Sequence, residues 1–280
     1  MSAFAGENES QKLRSFDSLC AYLRRTSGLV LSADKRYLVE SRVTPVMRRA
    51  GMTHLSDLVR ALEQGRMPGL AEEVVQAMTI NETYFFRDRF PFEILRHKIL
   101  PRLIVDRAAQ RKIRIWSAAS STGQEAYSIS MIVEEASPCL ASWQVQVVGT
   151  DLSQNALTSA RKGLYSQFEV QRGLTPEQIQ RYFNPVGHMW QLKESVRSRV
   201  EFKHYNLLDP YSALGKFDLI FCRNVLIYFD PDRKTDVLNR MSQILAPDGL
   251  LAIGASESII GLNTKLKPHP EHRGFLCLSK

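Results

Sequence analysis

The residues Ile115-Trp116-Ser117-Ala118-Ala119-Ser120-Ser121-Thr122-Gly123-Gln124-Glu125 lead from an apolar run into a helical pattern through a turn of small side chains. In an open α/β sheet, the first strand-to-helix turn sets backbone N–H groups and a helix N-terminus against a nucleotide-like ligand. Gly123 is the only glycine in this turn, so the G-x-G-x-x-G spacing that admits a pyrophosphate is missing, as is the lysine of a P-loop. The composition suits a phosphate-free adenosyl ligand such as S-adenosylmethionine, whose amino-acid tail needs room rather than neutralising charge. Ala118 belongs to this cofactor turn. Asp151 ends the next apolar run, 28 residues beyond Gly123, where a carboxylate can accept hydrogen bonds from both ribose hydroxyls. Taken alone, Asp151 could equally cap the helix carrying Ala156 and Ala160. The small-residue turn before it favours the ribose. Glu125 is open to two readings: a contact with the ligand's amino-acid end, which is the expectation, or an acid favoured in a first helical turn by the dipole.

Other chemistries find little support. Cys20, Cys139, Cys222 and Cys277 lack C-x-x-C spacing and nearby paired histidines, which argues against a disulfide framework and a zinc site, so no metal is expected. No run approaches the length needed to cross a bilayer, and the polar start, Met1 to Gln11, has no apolar signal segment. The chain is therefore expected in the cytoplasm, without membrane insertion. With 44% hydrophobic and 24% charged residues, it should pack a globular core. The net charge of +8 favours an anionic partner without identifying it.

These groups need a scaffold. Apolar runs over 113–116, 145–149, 217–222 and 250–254, with a last strand-like stretch over 274–278, alternate with helical patterns. That alternation is the signature of a doubly wound sheet, so the fold class is α/β and Rossmann-like. Before it, helical periodicity follows Ser15 as N-cap up to Gly28, then recurs over 35–50, 55–64 and 70–80, with Pro45 expected to kink or break the second helix. A further helix is expected over 92–109. The organisation expected is an N-terminal all-helical domain over 1–78, a linker over 79–92 that contributes to the cofactor site, and a sheet domain over 93–280. About 164–204 is too long for one crossover helix. It holds a helical pattern from Thr175 with Pro176 at its first position, then Met189-Trp190-Gln191-Leu192 and Val200-Glu201-Phe202, which alternate like paired strands. A small inserted β-subdomain is expected there.

Three segments together resemble the chemotaxis-receptor methyltransferase family, CheR: Thr79-Ile80-Asn81-Glu82-Thr83-Tyr84-Phe85-Phe86-Arg87, Ser117 to Glu125 as quoted above, and Phe217-Asp218-Leu219-Ile220-Phe221-Cys222-Arg223-Asn224-Val225-Leu226-Ile227-Tyr228-Phe229. The likeness covers nearly the whole chain in matching order. It implies transfer of a methyl group from S-adenosylmethionine to glutamate side chains in chemoreceptor cytoplasmic domains, giving methyl esters and S-adenosylhomocysteine. It also implies that Asn81, Thr83 and Arg87 reach the cofactor, that Asn206 and Leu207 flank the adenine, and that Arg223 and Asn224 close the pocket beneath it. A guanidinium at Arg87 suits the ligand's carboxylate. Outside the family, Arg87 would read as a solvated helix cap beside a core Phe85 and Phe86.

Glutamate is already ionised at neutral pH, so its methylation needs no strong general base, and positioning with desolvation must supply the acceleration. Arg223 and Tyr228 are the expected catalytic pair, orienting the incoming carboxylate. Arg223 could instead serve the cofactor, and Tyr228 could pack with Phe229 in the core. Lys35, Arg42 and Arg49 recur every seven residues, so on one continuous helix they would present a basic face, either to the acidic receptor or simply to solvent. Family members that grip a receptor's C-terminal peptide use a glycine-containing hairpin in the inserted subdomain. Here Phe183 to Trp190 offers only Gly187, which leaves such a tether unsupported. Amino-methylating nucleic-acid enzymes of this fold carry Asn- or Asp-Pro-Pro-aromatic after the fourth strand, whereas Arg223-Asn224-Val225-Leu226 stands here, so no nucleic-acid partner is expected. Nothing in the sequence calls for an obligate dimer, and a monomer is expected.

Overall fold

The computed structural model describes residues 8–279, which fold as two compact units: 8–80 with 228–230, and 81–227 with 231–279. Residues 1–7 of the polar start lie outside the described residues.

In the helical unit, α1 (Glu9–Ser27) begins six residues before the expected cap. The reason is a capping box: the Asn8 side chain accepts from the Gln11 N–H at 2.8 Å while the Gln11 side chain accepts from the Asn8 N–H. Ser15 is instead buried inside the helix. The helix stops as expected at Gly28, whose φ of 77° lets its N–H return to the Arg24 carbonyl. A 3₁₀ turn, Ala33–Lys35, precedes α2 (Arg36–Arg49), which runs through Pro45 without a break. The missing N–H removes one helical bond, while burial of Val39, Val43, Val46 and Met47 on one face holds the helix together. α3 (Leu55–Gln64) packs on α1, and α4 (Leu70–Met78) packs on α2.

The sheet unit opens with a continuous helical stretch: α5 (Phe90–Ile94), a π turn over Leu95–Ile99, and α6 (Leu100–Asp106). The widened turn suits Pro101, which has no N–H to give and would crowd the carbonyl one turn back. Next come β1 (Lys112–Ala118), α7 (Gln124–Glu135), β2 (Gln144–Asp151) and α8 (Gln154–Lys162). The insertion follows, with β3 (Leu164–Ser166), α9 (Gln167–Gln171), α10 (Pro176–Tyr182), β4 (Phe183–Val186), β5 (Met189–Leu192) and α11 (Glu194–Arg197). The chain ends with β6 (Val200–His204), β7 (Phe217–Cys222), α12 (Pro231–Ile244), β8 (Leu245–Ile253), β9 (Leu266–Pro268) and β10 (Phe275–Leu278).

The main sheet has the order β6-β2-β1-β7-β8-β10-β9. β6, β2, β1, β7 and β8 run parallel; β10 and β9 add antiparallel at one edge. The chain builds outward from β1 to β6 and then returns to the other side of β1 with β7. The β1/β7 boundary is thus the topological switch point, the place where open α/β sheets bind ligands beyond their carboxyl ends. Ile113, Ile115 and Leu219 of the sheet pack with Ile129 and Ile132 of α7, and Phe92 stacks on Phe221, making one core.

The insertion forms a three-stranded antiparallel sheet ordered β3-β5-β4. The expected helix is present, with Thr175 as N-cap and Pro176 at its first position. The expected pairing of Met189–Leu192 with Val200–Phe202 is corrected. β5 pairs with β3 and β4, while β6 joins the main sheet beside β2, with Asp151 opposite His204. Alternation identifies a strand but not its neighbour, because the neighbour is chosen by backbone hydrogen bonds across the fold. No helix among the described residues is long and apolar enough to cross a membrane.

Candidate functional site

Parallel pairing sets the ends of four strands side by side. Ala118 of β1 lies opposite Thr150 of β2 and Cys222 of β7, and Asp151 lies opposite His204 of β6. Ala118, Asp151, Asn206 and Arg223 therefore come to one edge, although up to 105 residues separate them in sequence. The Tyr205 N–H donates to the Asp151 carbonyl at 3.0 Å, drawing the loop after β6 to the end of β2.

The turn after β1 has a particular backbone. Ala119 and Ser121 adopt left-handed conformations, with φ of 58° and 51°. The Ser120 N–H donates to the Thr150 carbonyl, the Gly123 N–H to the Ser120 carbonyl, and the Ser121 N–H to Asp151 Oδ2 at 2.8 Å. These three N–H groups are spent within the protein and are not available to a phosphate. That agrees with the missing pyrophosphate motif and fits a ligand without phosphates. Ser120 Oγ is buried there without a partner, one further polar group able to meet a ligand.

Asp151 is buried, and its carboxylate accepts from the Ser121 and Ser153 N–H groups at 2.8 Å each. The cap of α8 is Ser153, whose hydroxyl accepts from the Ala156 N–H. Asp151 is thus no helix cap. A carboxylate can accept about four hydrogen bonds, so acceptor capacity remains beyond these backbone groups. Burial raises the Asp151 carboxyl above its ordinary range, against backbone hydrogen bonds that pull it down.

Beside it, Glu125 accepts from the Ser117 hydroxyl at 2.8 Å and from Arg223 Nη1 at 3.0 Å. Burial pushes its carboxyl up, opposed by the Arg223 charge and the Ser117 hydroxyl. The Arg223 side chain is 1% exposed. Its Nη2 donates to Asp88 Oδ2 at 2.6 Å and to the Arg87 carbonyl at 2.9 Å, its plane lies over Phe92, and its Nε is buried without a partner. This arginine joins Glu125 on α7 to the 81–89 segment, so its charge is compensated before any acceptor arrives.

Asn81, Thr83 and Arg87 lie on that segment. The Asn81 carbonyl accepts from Ser121 Oγ at 2.9 Å, tying the segment to the turn after β1, while its side chain is exposed. Thr83 is half-buried. Arg87 donates through Nη1 to the Glu82 carbonyl and lies over the Tyr84 ring, leaving most of its five N–H groups available to a carboxylate. Phe86, Asp88 and Arg89 all have left-handed backbones, held by the Phe86 N–H on Ser128 Oγ and by Arg223. Asn206 Oδ1 accepts from the Leu208 N–H, and the buried Leu207 offers its carbonyl to Arg240 Nη2 and to the Tyr211 hydroxyl.

Four expected residues lie in the helical unit. Tyr228 ends a 3₁₀ turn, Leu226–Tyr228, and its carbonyl accepts from the Val30 N–H at 2.9 Å. The expected basic face does not form as drawn. Lys35 precedes α2, in the 3₁₀ turn, and so does not share the helix's continuous face. Arg42 Nη1 donates to the Thr79 and Met78 carbonyls at the end of α4, and Arg49 pairs with Glu73 at 2.9 Å. Two of the three cations thus bind α4 to α2. Heptad spacing could not show this, because their partners come from another helix.

Residues missed by sequence reasoning are Asp88, Ser128 and Glu257. Asp88 carried a signal, since an acid just past Arg87 is a ready partner for a buried arginine. Glu257, three residues beyond Gly254 at the end of β8, looked like loop polarity.

Residues 14–79 match the family described as "CheR methyltransferase, all-alpha domain", and residues 81–275 match "CheR methyltransferase, SAM binding domain". The chain is 48% identical over 251 residues to "Chemotaxis protein methyltransferase 1" of Pseudomonas aeruginosa, covering 88% of this chain and 91% of that protein. It is 45% identical over 251 residues to "Chemotaxis protein methyltransferase Cher2" of Pseudomonas putida, with the same coverage. To "Chemotaxis protein methyltransferase" of Escherichia coli it is 34% identical over 258 residues, covering 89% of this chain and 86% of that protein. With both its helical and its sheet domain matched, the chain belongs to the CheR methyltransferase family and takes S-adenosylmethionine as its cofactor.

Proposed function

We propose that this protein transfers the methyl group of S-adenosylmethionine to side-chain carboxylates of glutamate residues in chemoreceptor cytoplasmic domains, giving glutamate methyl esters during chemosensory adaptation. The observation that carries this reading is the convergence of Asn81–Arg87, Ser117–Glu125 and Arg223–Asn224 on one sheet edge, in a chain whose relatives are named chemotaxis methyltransferases over nearly their full length. Bound S-adenosylmethionine supplies a methyl group activated by its sulfonium. Asp151 would hold the ribose hydroxyls, Arg87 the ligand's carboxylate, Glu125 its amino end, and Asn206 and Leu207 the adenine, with Thr83, Ala118 and Asn224 lining the pocket. Arg223 would act on the cofactor side, through its ion pairs with Glu125 and Asp88. Orientation of the acceptor carboxylate falls to Tyr228. An ionised glutamate is itself the nucleophile, so the protein's task is to hold it in line and strip its water.

The reading includes a monomer working in the cytoplasm, without membrane insertion or a nucleic-acid partner. A receptor-peptide tether is not part of it. The test is transfer of labelled methyl to purified chemoreceptor cytoplasmic fragments, with tRNA as parallel acceptor. Alkali-labile label on the receptor fragment is expected. Alkali-stable label on RNA, or cofactor binding with no transfer to either acceptor, overturns the proposal.

A further inference from the structure

The loop after β7 carries Arg223 and Asn224, and its backbone N–H groups are bound from outside the loop. Asn224 is left-handed, with φ of 58°, a conformation that Asn tolerates better than most residues. The carboxylate of Glu257 meets this loop. Its Oε2 accepts from the Asn224 N–H at 3.0 Å and the Gly254 N–H at 2.6 Å, and its Oε1 from the Val225, Leu226 and Ile227 N–H groups at 3.0, 2.7 and 3.3 Å. One carboxylate thus gathers five backbone donors from the ends of two neighbouring strands. Charge-assisted bonds of this kind are about twice as strong as neutral ones, and N–H groups left unpaired there would cost desolvation energy. The approach is close: a Cβ on Gly254 would stand 2.9 Å from the Asn224 nitrogen and 2.8 Å from Glu257 Oε2.

We propose that Glu257 is a positioning residue of the methyltransferase site, acting through the backbone of residues 224–227 to set Asn224 at the cofactor pocket. The proposal rests on the reading above that Asn224 lines that pocket. Glu257→Gln keeps the side chain's size but turns N–H donors toward N–H donors. Glu257→Asp keeps the charge one methylene short.

The test is calorimetric titration of the full chain with S-adenosylhomocysteine, at a temperature where circular dichroism shows each variant folded, together with KM and kcat for S-adenosylmethionine on receptor fragments. Glu257→Gln should weaken S-adenosylhomocysteine binding by about tenfold, equivalent to about 1.4 kcal/mol, and Glu257→Asp by roughly threefold. KM should rise by more than kcat falls. Binding by folded Glu257→Gln within about twofold of the parent, or equal losses in both variants that simply follow their melting temperatures, overturns the proposal. The titration uses no methyl acceptor, so failure to find receptor methylation would leave this result standing. Asn224→Ala, titrated in parallel, tests the pocket assignment independently.

Discussion

The two ends of the parallel sheet each hold one arginine between two carboxylates, and they use it differently. At the amino ends, Arg107 bonds Asp218 of β7 at 2.7 Å and Asp248 of β8 at 2.6 Å, while Asp218 also accepts the Arg114 N–H of β1. The Arg107 side chain is 17% exposed, and the cluster closes a boundary between helix and sheet. At the carboxyl ends, Arg223 between Glu125 and Asp88 is almost wholly buried, with an unpartnered Nε, and it ties the first turn of α7 to the 81–89 segment. Strain is distributed the same way. Of the seven left-handed non-glycine residues among the described ones, Phe86, Asp88, Arg89, Ala119, Ser121 and Asn224 lie in the carboxyl-end loops, and only Arg111 lies at the other end. A single motif thus serves as a strap at one end and as a frame for strained loop backbone at the other.

The largest expected effect breaks that contrast directly. Arg223→Ala leaves Glu125 and Asp88 without their counter-charge, and removal of one partner from a buried ion pair costs about 3–5 kcal/mol. Urea unfolding should show that loss, and S-adenosylhomocysteine titration should show binding abolished. Arg107→Ala should cost roughly 1–3 kcal/mol, because its site is partly solvated, and leave ligand affinity unchanged. Equal binding losses in the two variants would erase the distinction between the two ends.

Gly173 sharpens it. A Cβ there would lie 1.9 Å from the Phe85 carbonyl, where the insertion presses on the 81–89 segment, and Phe85 packs edge-on against Tyr165 and Phe183. Gly173→Ala should cost about 1–3 kcal/mol through overpacking and raise KM for S-adenosylmethionine, as measured by thermal unfolding and steady-state kinetics.

The two ends should also respond to pH with opposite sign. Arg107 holds the Asp248 carboxyl below its ordinary range, so Asp248 adds stability that is present above that range and lost as pH falls through the lowered value. Burial holds Asp151 above it, so its contribution is present at acid pH and lost as pH rises through the raised value. Denaturant unfolding from pH 3 to 8 should therefore find Asp248→Asn most damaging near neutrality and Asp151→Asn most damaging in acid. Parallel profiles would contradict the assignment. The smallest effect is expected from Arg172→Ala. Arg172 pairs with Glu82 at 2.6 Å and covers Tyr84, but both partners are well exposed, so thermal unfolding should register less than about 1 kcal/mol.

Local rules carried the reading of this chain a long way. Period and cap residues located α3 at its observed ends, α10 behind Thr175, and β7 over its full length. Such elements are set by neighbours within a few residues, and so is the small-residue turn whose lack of a phosphate motif pointed to the cofactor. Capping also misled: Ser15 was a permissible cap, but Asn8 with Gln11 satisfies two donors at once.

The sequence by itself determined the helical start, the doubly wound sheet, the family and the small-residue turn after β1, because each is written in spacing along the chain. Only the tertiary structure decided that β6 pairs with β2 rather than β5, and that Arg42 and Arg49 bind α4. It alone showed that Arg223 meets partners 98 and 135 residues away and that Glu257 gathers the loop after β7. Those outcomes depend on charges and backbone donors brought together by sheet pairing. A buried group must find its partner wherever the fold delivers one, and no local period records where that is.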